Sequence, residues 1–389
     1  MKHSNLIIAI TIVLFVYTVL NFYCIKRSAQ ALSGLGVFKT TIIGVLIVLA
    51  CALPLGRIVE MYLRNALTHV AVIAGSLYLG SMFYLLLTVM LADCIRLGDR
   101  LFHFLSPSFL ENPFPVLRVA WLILAGMITI AVVAGNRLAT HPCLRTIDIH
   151  VAKKSSKLSE LTIAAVSDIH FGTVLGEEHM KRIVRCVKQA GPDIVLLAGD
   201  VFDEDIDDGQ RGHIVGLLKE LSCPLGVYAV TGNHEYYSGL AKAVSVLTEA
   251  GVIVLQDSVV RIPGAFTLVG RKDLTAMRMG GGRKSLQEIM ESIDRGLPCI
   301  LMDHQPFHLE EAEKNGVDVQ ISGHTHHGQL FPLNLLYRWI YETSWGCIQK
   351  GKTWIVVSCG AGTWGPPIRT NSRSEVLKVR MHFSGFQKD

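Results

Sequence analysis

The chain has 389 residues, half of them hydrophobic, a formal net charge of +5 and a mean hydropathy of +0.39. That length allows more than one domain, and the modest charge, with no long basic run, argues against a nucleic-acid partner. Nine cysteines are scattered without a C-x-x-C pair, which argues against a disulfide framework or a cysteine zinc site.

Charge is sparse in the first third. Leu6 to Tyr23 carries none and is long enough to cross a bilayer. The small-x-small site at Ala29-Gln30-Ala31 lies well past its end, so an uncleaved span is expected rather than a signal peptide. Further uncharged windows at 40–56, 70–92 and 119–135 predict a four-span membrane region over residues 1–136. The connection from Asp93 to Pro115, with four phenylalanines and three prolines, reads as a loop or an interfacial aromatic anchor. Four spans place both ends of the region on one side, with Lys2, Arg57, Arg64, Arg137 and Arg145. The opposite side receives Lys26, Arg27, Lys39, Arg96, Arg100 and Arg118. Only Lys153, Lys154 and Lys157 tip the count toward a cytoplasmic position for the rest of the chain.

Residues 137–160 read as a linker and a first strand: Thr146 to Ala152 alternates like a half-buried strand, and 153–159 is a polar turn. From 161 to 389 the pattern is an α/β domain with much of its sheet parallel, because apolar runs alternate with helical patterns at Glu177–Ala190, about His213–Leu221 and about Leu240–Ala250. No internal repeat is visible.

Five apolar runs in this region each end in a polar cluster rich in metal-ligating types. Leu161 onward ends in Ser167-Asp168-Ile169-His170, and Ile194–Ala198 in Gly199-Asp200. Val227–Thr231 ends in Gly232-Asn233-His234-Glu235, Cys299–Met302 in Asp303-His304-Gln305, and Val319–Ser322 in Gly323-His324-Thr325-His326-His327. In α/β sheets ligands bind beyond the carboxyl ends of strands, so these clusters describe one site. Asp, Asn and His without Cys select divalent ions such as Mn, Fe or Zn. Two ions about 3.5–4 Å apart share a bridging carboxylate, acidify a water and offset charge on a phosphoryl group.

The series Asp168-x-His170, Gly199-Asp200, Gly232-Asn233-His234-Glu235, His304 and Gly323-His324-x-His326 resembles the calcineurin-like metallophosphoesterase superfamily. The LMDHQP, GHTHHGQ and GTWGPPIR stretches resemble its membrane-associated bacterial branch. The resemblance implies an α/β/β/α sandwich, two sheets flanked by helices. It implies one metal on Asp168, His170 and His326, a second on Asn233, His304 and His324, and Asp200 bridging them. His234 would contact phosphate or help protonate the leaving group. Asp203 would be a supporting residue and Glu235 a loop stabiliser, while His327 stands where the branch often has glycine.

The expected reaction is hydrolysis of a phosphodiester, diphosphate or phosphomonoester by a metal-bridged hydroxide. The substrate would be a phosphorylated small molecule or a lipid, with UDP-2,3-diacylglucosamine one candidate. A phosphatase for soluble phosphates or phosphoproteins is the rival within enzymes, and a non-catalytic membrane receptor or scaffold the rival outside them. Arg338, Arg369 and Arg373 are candidate phosphate contacts or plain surface charges, and His179, His213, His308 and His382 are surface or packing residues. Leu330–Trp345 is either a helix packed on the core or a lip touching the bilayer or an acyl chain. No protein partner is identifiable.

Overall fold

The computed structural model describes residues 3–155, 157–206 and 208–384; Lys2, part of the turn expected at 153–159 and the end of the expected catalytic region lie outside them. The chain divides into two compact units, Met1–Gly135 and Asn136–Asp389.

The first unit is helical: α1 (His3–Ala31), α2 (Gly36–Glu60), α3 (Ala66–Phe102), the short α4 (Pro107–Glu111) and α5 (Phe114–Thr140), whose last turn belongs to the second unit. Four of these are long and apolar enough to cross a membrane. Each extends beyond the charge-free window that announces it, α3 most of all. The connection expected from Asp93 is in fact helical as far as Phe102. The reason lies on another helix: Asp93 pairs with Arg27 at 2.5 Å and Arg96 at 3.2 Å, and Tyr23 donates to it at 2.6 Å. With its charge matched, Asp93 continues the helix instead of ending it.

The second unit opens with β1 (Cys143–Val151), which starts three residues earlier than its alternating pattern suggests. There follow β2 (Glu160–Val166), α6 (Glu177–Ala190), β3 (Ile194–Ala198), α7 (Asp208–Lys219), β4 (Val227–Val230), α8 (Asn233–Ser238), α9 (Leu240–Glu249) and β5 (Ile253–Leu255). Next come β6 (Ser258–Ile262), β7 (Phe266–Gly270), α10 (Thr275–Arg278), α11 (Leu286–Met290), β8 (Cys299–Met302), α12 (Leu309–Lys314) and β9 (Val319–Ser322). A 3-10 turn at His326–Gly328, α13 (Leu333–Ile340), β10 (Gly346–Lys350), β11 (Thr353–Val357) and β12 (Glu375–Phe383) complete it.

Two six-stranded sheets form, ordered β1-β12-β2-β3-β4-β5 and β10-β11-β9-β8-β7-β6. The strands β2, β3 and β4 are mutually parallel, as are β7, β8, β9 and β11. Side chains alternate across each strand, and here both faces are buried. Ile163, Ala165, Leu196 and Ala198 meet Ile300, Met302, Val319 and Ile321 between the sheets. Ala164, Val166, Val195 and Leu197 pack outward on Met180, Ile183 and Val187 of α6. The far face of the second sheet is covered by Leu286 and Ile289 of α11 and Leu309 and Ala312 of α12. The result is the expected α/β/β/α sandwich, and it explains why these strands read as unbroken apolar runs.

Candidate metal centre

The carboxyl ends of β2, β3 and β4 from one sheet and of β8 and β9 from the other meet at one place. Their loops are stitched by backbone bonds. Asp168 N donates to Gly199 O at 3.0 Å, His170 N to Asp200 O at 3.0 Å, and Gly323 N to His304 O at 2.9 Å. Asp168, His170, Asp200, His324 and His326 all have positive φ, between 47° and 68°. Left-handed backbone at five non-glycine residues is costly. Here it turns each side chain back toward a common centre. Close approach is permitted by glycines: a Cβ at Gly199 would lie 2.5 Å from His304 Nδ1, and one at Gly323 would run into the Asp168 carboxylate.

Three groups of ligand atoms lie within 4.8 Å of one another: Asp168, His170 and His326; Asp200, His304 and His324; and His170, Asp203 and His234. The first two match the ligand sets that the sequence resemblance implies. Asp200 Oδ2 stands between them, 3.8 Å from His170 Nε2 and 3.1 Å from His304 Nε2. His304 is fully buried, and its Nδ1 donates to Ala198 O at 2.8 Å, which leaves Nε2 unprotonated and free to ligate in the neutral ring. Among the buried polar atoms at this centre, Asn233 Oδ1 has no hydrogen-bond partner, and His304 Nε2 meets the Asp200 carboxylate at 3.1 Å. A buried acceptor without a partner is expensive, and a cation would satisfy Asn233 Oδ1 and replace the proton between His304 and Asp200. The donor set therefore fits divalent metal.

A supporting layer holds these ligands. Asp203 Oδ1 takes hydrogen bonds at 3.0 Å from both His170 Nδ1 and His234 Nδ1, so one carboxylate orients a metal-competent ring and the neighbouring candidate acid. Glu235 is fully buried and accepts from the backbone N–H of Gly232, Asp200 and Phe202 at 2.7, 3.1 and 3.0 Å. It ties the β3 and β4 loops together.

Two residues, Arg369 and Asp303, sit differently from expectation. Arg369, weighed as a phosphate contact or a surface charge, is fully buried. Its guanidinium donates to Cys359 O at 2.5 Å and Gly362 O at 2.6 Å, to Ser372 Oγ at 2.8 Å and to His326 O at 3.3 Å, and Nη2 lies 3.2 Å from His326 Nδ1. Its planar fork braces the turn that presents His326. Asp303 turns away from the centre to Arg271 at 3.1 Å and Arg283 at 2.5 Å. His179, expected at the surface or in packing, is a packing residue, buried between Ala361 O at 2.9 Å and Thr140 O at 3.3 Å. Arg338 and Arg373 are exposed. His327 has positive φ and half-buries its ring against Trp345, with Nδ1 3.1 Å from Ser344 Oγ.

A sequence profile described as calcineurin-like phosphoesterase matches residues 161–328, the stretch that carries β2 to the 3-10 turn. A protein from Aquifex aeolicus (strain VF5), "Uncharacterized metallophosphoesterase", is 35% identical over 237 residues, 60% of this chain and 89% of that one. The chain belongs to the calcineurin-like phosphoesterase family. A metallophosphoesterase from Helicobacter pylori (strain J99 / ATCC 700824) is 34% identical over 57% of this chain. "Transmembrane protein with metallophosphoesterase domain" from Bos taurus is 32% identical over 66% of it. The chain spans about 60% of the length of these last two relatives. With four membrane-length apolar helices, this family member is a membrane protein, and its second unit is of the metal-dependent phosphoester hydrolase class.

The electrostatics of this phosphoesterase site are strongly polarised. Burial alone would raise the Asp200 carboxyl, but His304, His170 and His234 outweigh it and hold Asp200 well below the usual carboxylate range. Burial would lower His234, yet Asp203 and Asp200 prevail and bring it up to about 9. His324 is pushed down to about 4 by burial and by His304, and burial with His170 and Arg369 depresses His326. The site thus offers an ionised carboxylate at Asp200, neutral rings at His324 and His326, and charged forms of His304 and His234 favoured by the neighbouring carboxylates.

Proposed function

We propose that the second unit hydrolyses phosphoesters with two divalent ions, one held by Asp168, His170 and His326, the other by Asn233, His304 and His324, with Asp200 serving both. The observation that supports this reading is the pair of ligand groups, Asp168, His170 and His326 and Asp200, His304 and His324, joined by Asp200 Oδ2, which lies 3.8 Å from His170 Nε2 and 3.1 Å from His304 Nε2. When bound, Mn, Fe or Zn would supply an acidified water as nucleophile and positive charge to offset that building on the phosphoryl oxygens. The chain's residues do the rest. Asp200, kept ionised, bears negative charge where the cations need it. Arg369 and Asp203 fix the rings of His326 and His170. His234, charged at neutral pH and tied through Nδ1 to Asp203, presents its other N–H to the phosphoryl group and gives that proton to the departing oxygen.

The test is leaving-group dependence in the full-length protein. His234→Asn should slow hydrolysis of a diester with an alkyl leaving group on the order of 100-fold or more, the usual worth of general acid catalysis. A nitrophenyl leaving group, which needs no proton, should lose far less. Equal losses on both would remove the acid role from His234. The scaffold reading is disfavoured because every ligand position is filled by a competent side chain and the buried Asn233 Oδ1 has no partner within the chain. We further propose that the unit lies on the cytoplasmic side, on the strength of Lys153, Lys154 and Lys157. Cleavage by protease added outside intact cells would contradict that orientation.

A further inference from the structure

The segment after the 3-10 turn is built to be wet, yet its composition is apolar. None of α13 is buried. Phe331 is 52% exposed, Leu335 46%, Leu336 59%, Trp339 91% and Ile340 57%. Leu335, Leu336, Trp339 and Ile340 are spaced i, i+1, i+4 and i+5, so they form one face of the helix. Contiguous exposed apolar faces of this kind mark interaction surfaces.

Chain connectivity and hydrogen bonds within the second unit relate that face to the end of the last span. The second unit begins at Asn136, directly after the uncharged window 119–135, so the bilayer surface lies close to Asn136. Asn136 Nδ2 donates to Pro367 O at 2.8 Å. The same loop launches α13: Gln329 Nε2 donates to Pro366 O at 2.9 Å and to Trp364 O at 3.1 Å, and Phe331 N donates to Thr370 Oγ1 at 2.8 Å. Trp364 on that loop is itself 48% exposed. The membrane-proximal end of the unit and the apolar helix therefore share one short loop. At the other end of α13, Tyr341 packs on Phe307 with centroids 4.8 Å apart and reaches 6.4 Å from the His324 ring. The helix bridges the membrane end of the unit and the metal centre.

We propose that this face is a membrane-docking surface. Phe331, Leu335, Leu336, Trp339 and Ile340 enter the boundary between headgroups and acyl chains, as amphipathic interfacial helices rich in tryptophan and leucine do. Docking holds the metal centre against the bilayer, so its phosphoester comes from an amphiphile at that surface. This last step rests on the phosphoesterase reading; the docking does not.

Full-length protein in phosphatidylcholine and phosphatidylglycerol nanodiscs tests both. The emission of wild type minus that of Trp339→Phe isolates Trp339. Acyl-brominated lipids should quench it at least two-fold, and aqueous iodide should leave it nearly unchanged. Quenching by iodide and not by bromine would mean a solvated helix, and quenching by neither would mean a protein partner or second copy on this face; each overturns the proposal. The double variant Leu336→Glu with Trp339→Glu gives the substrate arm. It should keep wild-type hydrolysis of a soluble aryl diester and lose about ten-fold or more on the same diester carrying an acyl tail in the disc. Equal loss on both would show α13 to be merely part of the catalytic fold and would overturn delivery from the surface. If wild type hydrolyses neither, the phosphoesterase reading fails, while the quenching still decides the docking.

Discussion

Gly199→Ala tests the packing at the heart of the site. Gly199 has φ +91°, and a Cβ there would lie 2.5 Å from His304 Nδ1, 2.7 Å from His304 Cγ and 2.9 Å from Gly232 N. Ordinary carbon contacts need about 3.5 Å or more, so His304 must move by close to an ångström. It cannot rotate away, because it is fully buried and anchored to Ala198 O. Left-handed backbone at alanine costs roughly 1–2 kcal/mol, the lost hydrogen bond about 1 kcal/mol, and overpacking about 1–3 kcal/mol. The sum, about 3–6 kcal/mol, lowers the melting temperature by about 6–24 °C, at about 2–4 °C per kcal/mol for a unit of this size. A displacement near 1 Å also exceeds the roughly 0.2 Å tolerance of a metal ligand, so the variant should bind fewer ions. The assay is thermal unfolding of the full-length protein in detergent, with metal content measured after dialysis against Mn. Gly216→Ala is the control: it lies in α7 with nothing within 4 Å of its new Cβ, and helix propensity favours alanine. Wild-type melting and metal content in Gly199→Ala would refute the reasoning.

Other substitutions separate support from chemistry. Asp203→Asn keeps an acceptor but removes the charge that lifts His234; activity at pH 8 should fall about 10–100-fold, the usual range for residues that orient ligands, with metal content retained. Loss of metal instead would assign Asp203 to the metal shell. Arg369→Lys cannot reach the carbonyls of Cys359, Gly362 and His326 together, so thermal stability and metal affinity should both drop; an unchanged variant would deny the brace. His179 has its pKa pushed down to about 4, first by burial. Because the folded value lies below the unfolded one, its stabilising contribution is full above about pH 6.5 and is lost as pH falls toward 4. The shift is worth roughly 3 kcal/mol. Denaturant titrations from pH 7.5 to 4.5 should show part of the loss of stability disappearing in His179→Gln; identical slopes would contradict it.

Much of the sandwich was legible because parallel buried strands have a simple grammar: an apolar run, then a functional cluster at its carboxyl end. Asp168, His170, Asp200 and His304 announce themselves in this way. What supports them does so only in part: Asp203 and Glu235 are legible, their partners are not. Arg369 looked like a free cation because its partners are carbonyls in turns, and carbonyl direction depends on backbone angles that side-chain types do not reveal. Asp203 is legible as a supporting acid from the motif, but the convergence of His170 and His234 on it from different strands is not. Asp303 sits beside a ligand in sequence, but Arg271 and Arg283 draw it to the other side of its strand. The length of α3 was hidden for a similar reason, since Arg27 and Tyr23, which match Asp93, are 66 and 70 residues away. Local pattern locates strand ends and spans; long-range pairing decides which polar residues face the site.

The central claim is that two cations held around Asp200 drive phosphoester hydrolysis. The most direct measurement strips the full-length protein with chelator, titrates Mn back, and follows bound ions per chain together with hydrolysis of an aryl phosphodiester, in wild type and in Asp200→Asn. The account predicts two ions per chain in wild type, activity that rises with occupancy, and loss of nearly all activity in Asp200→Asn. Activity in the stripped protein, or undiminished activity in Asp200→Asn, would contradict it.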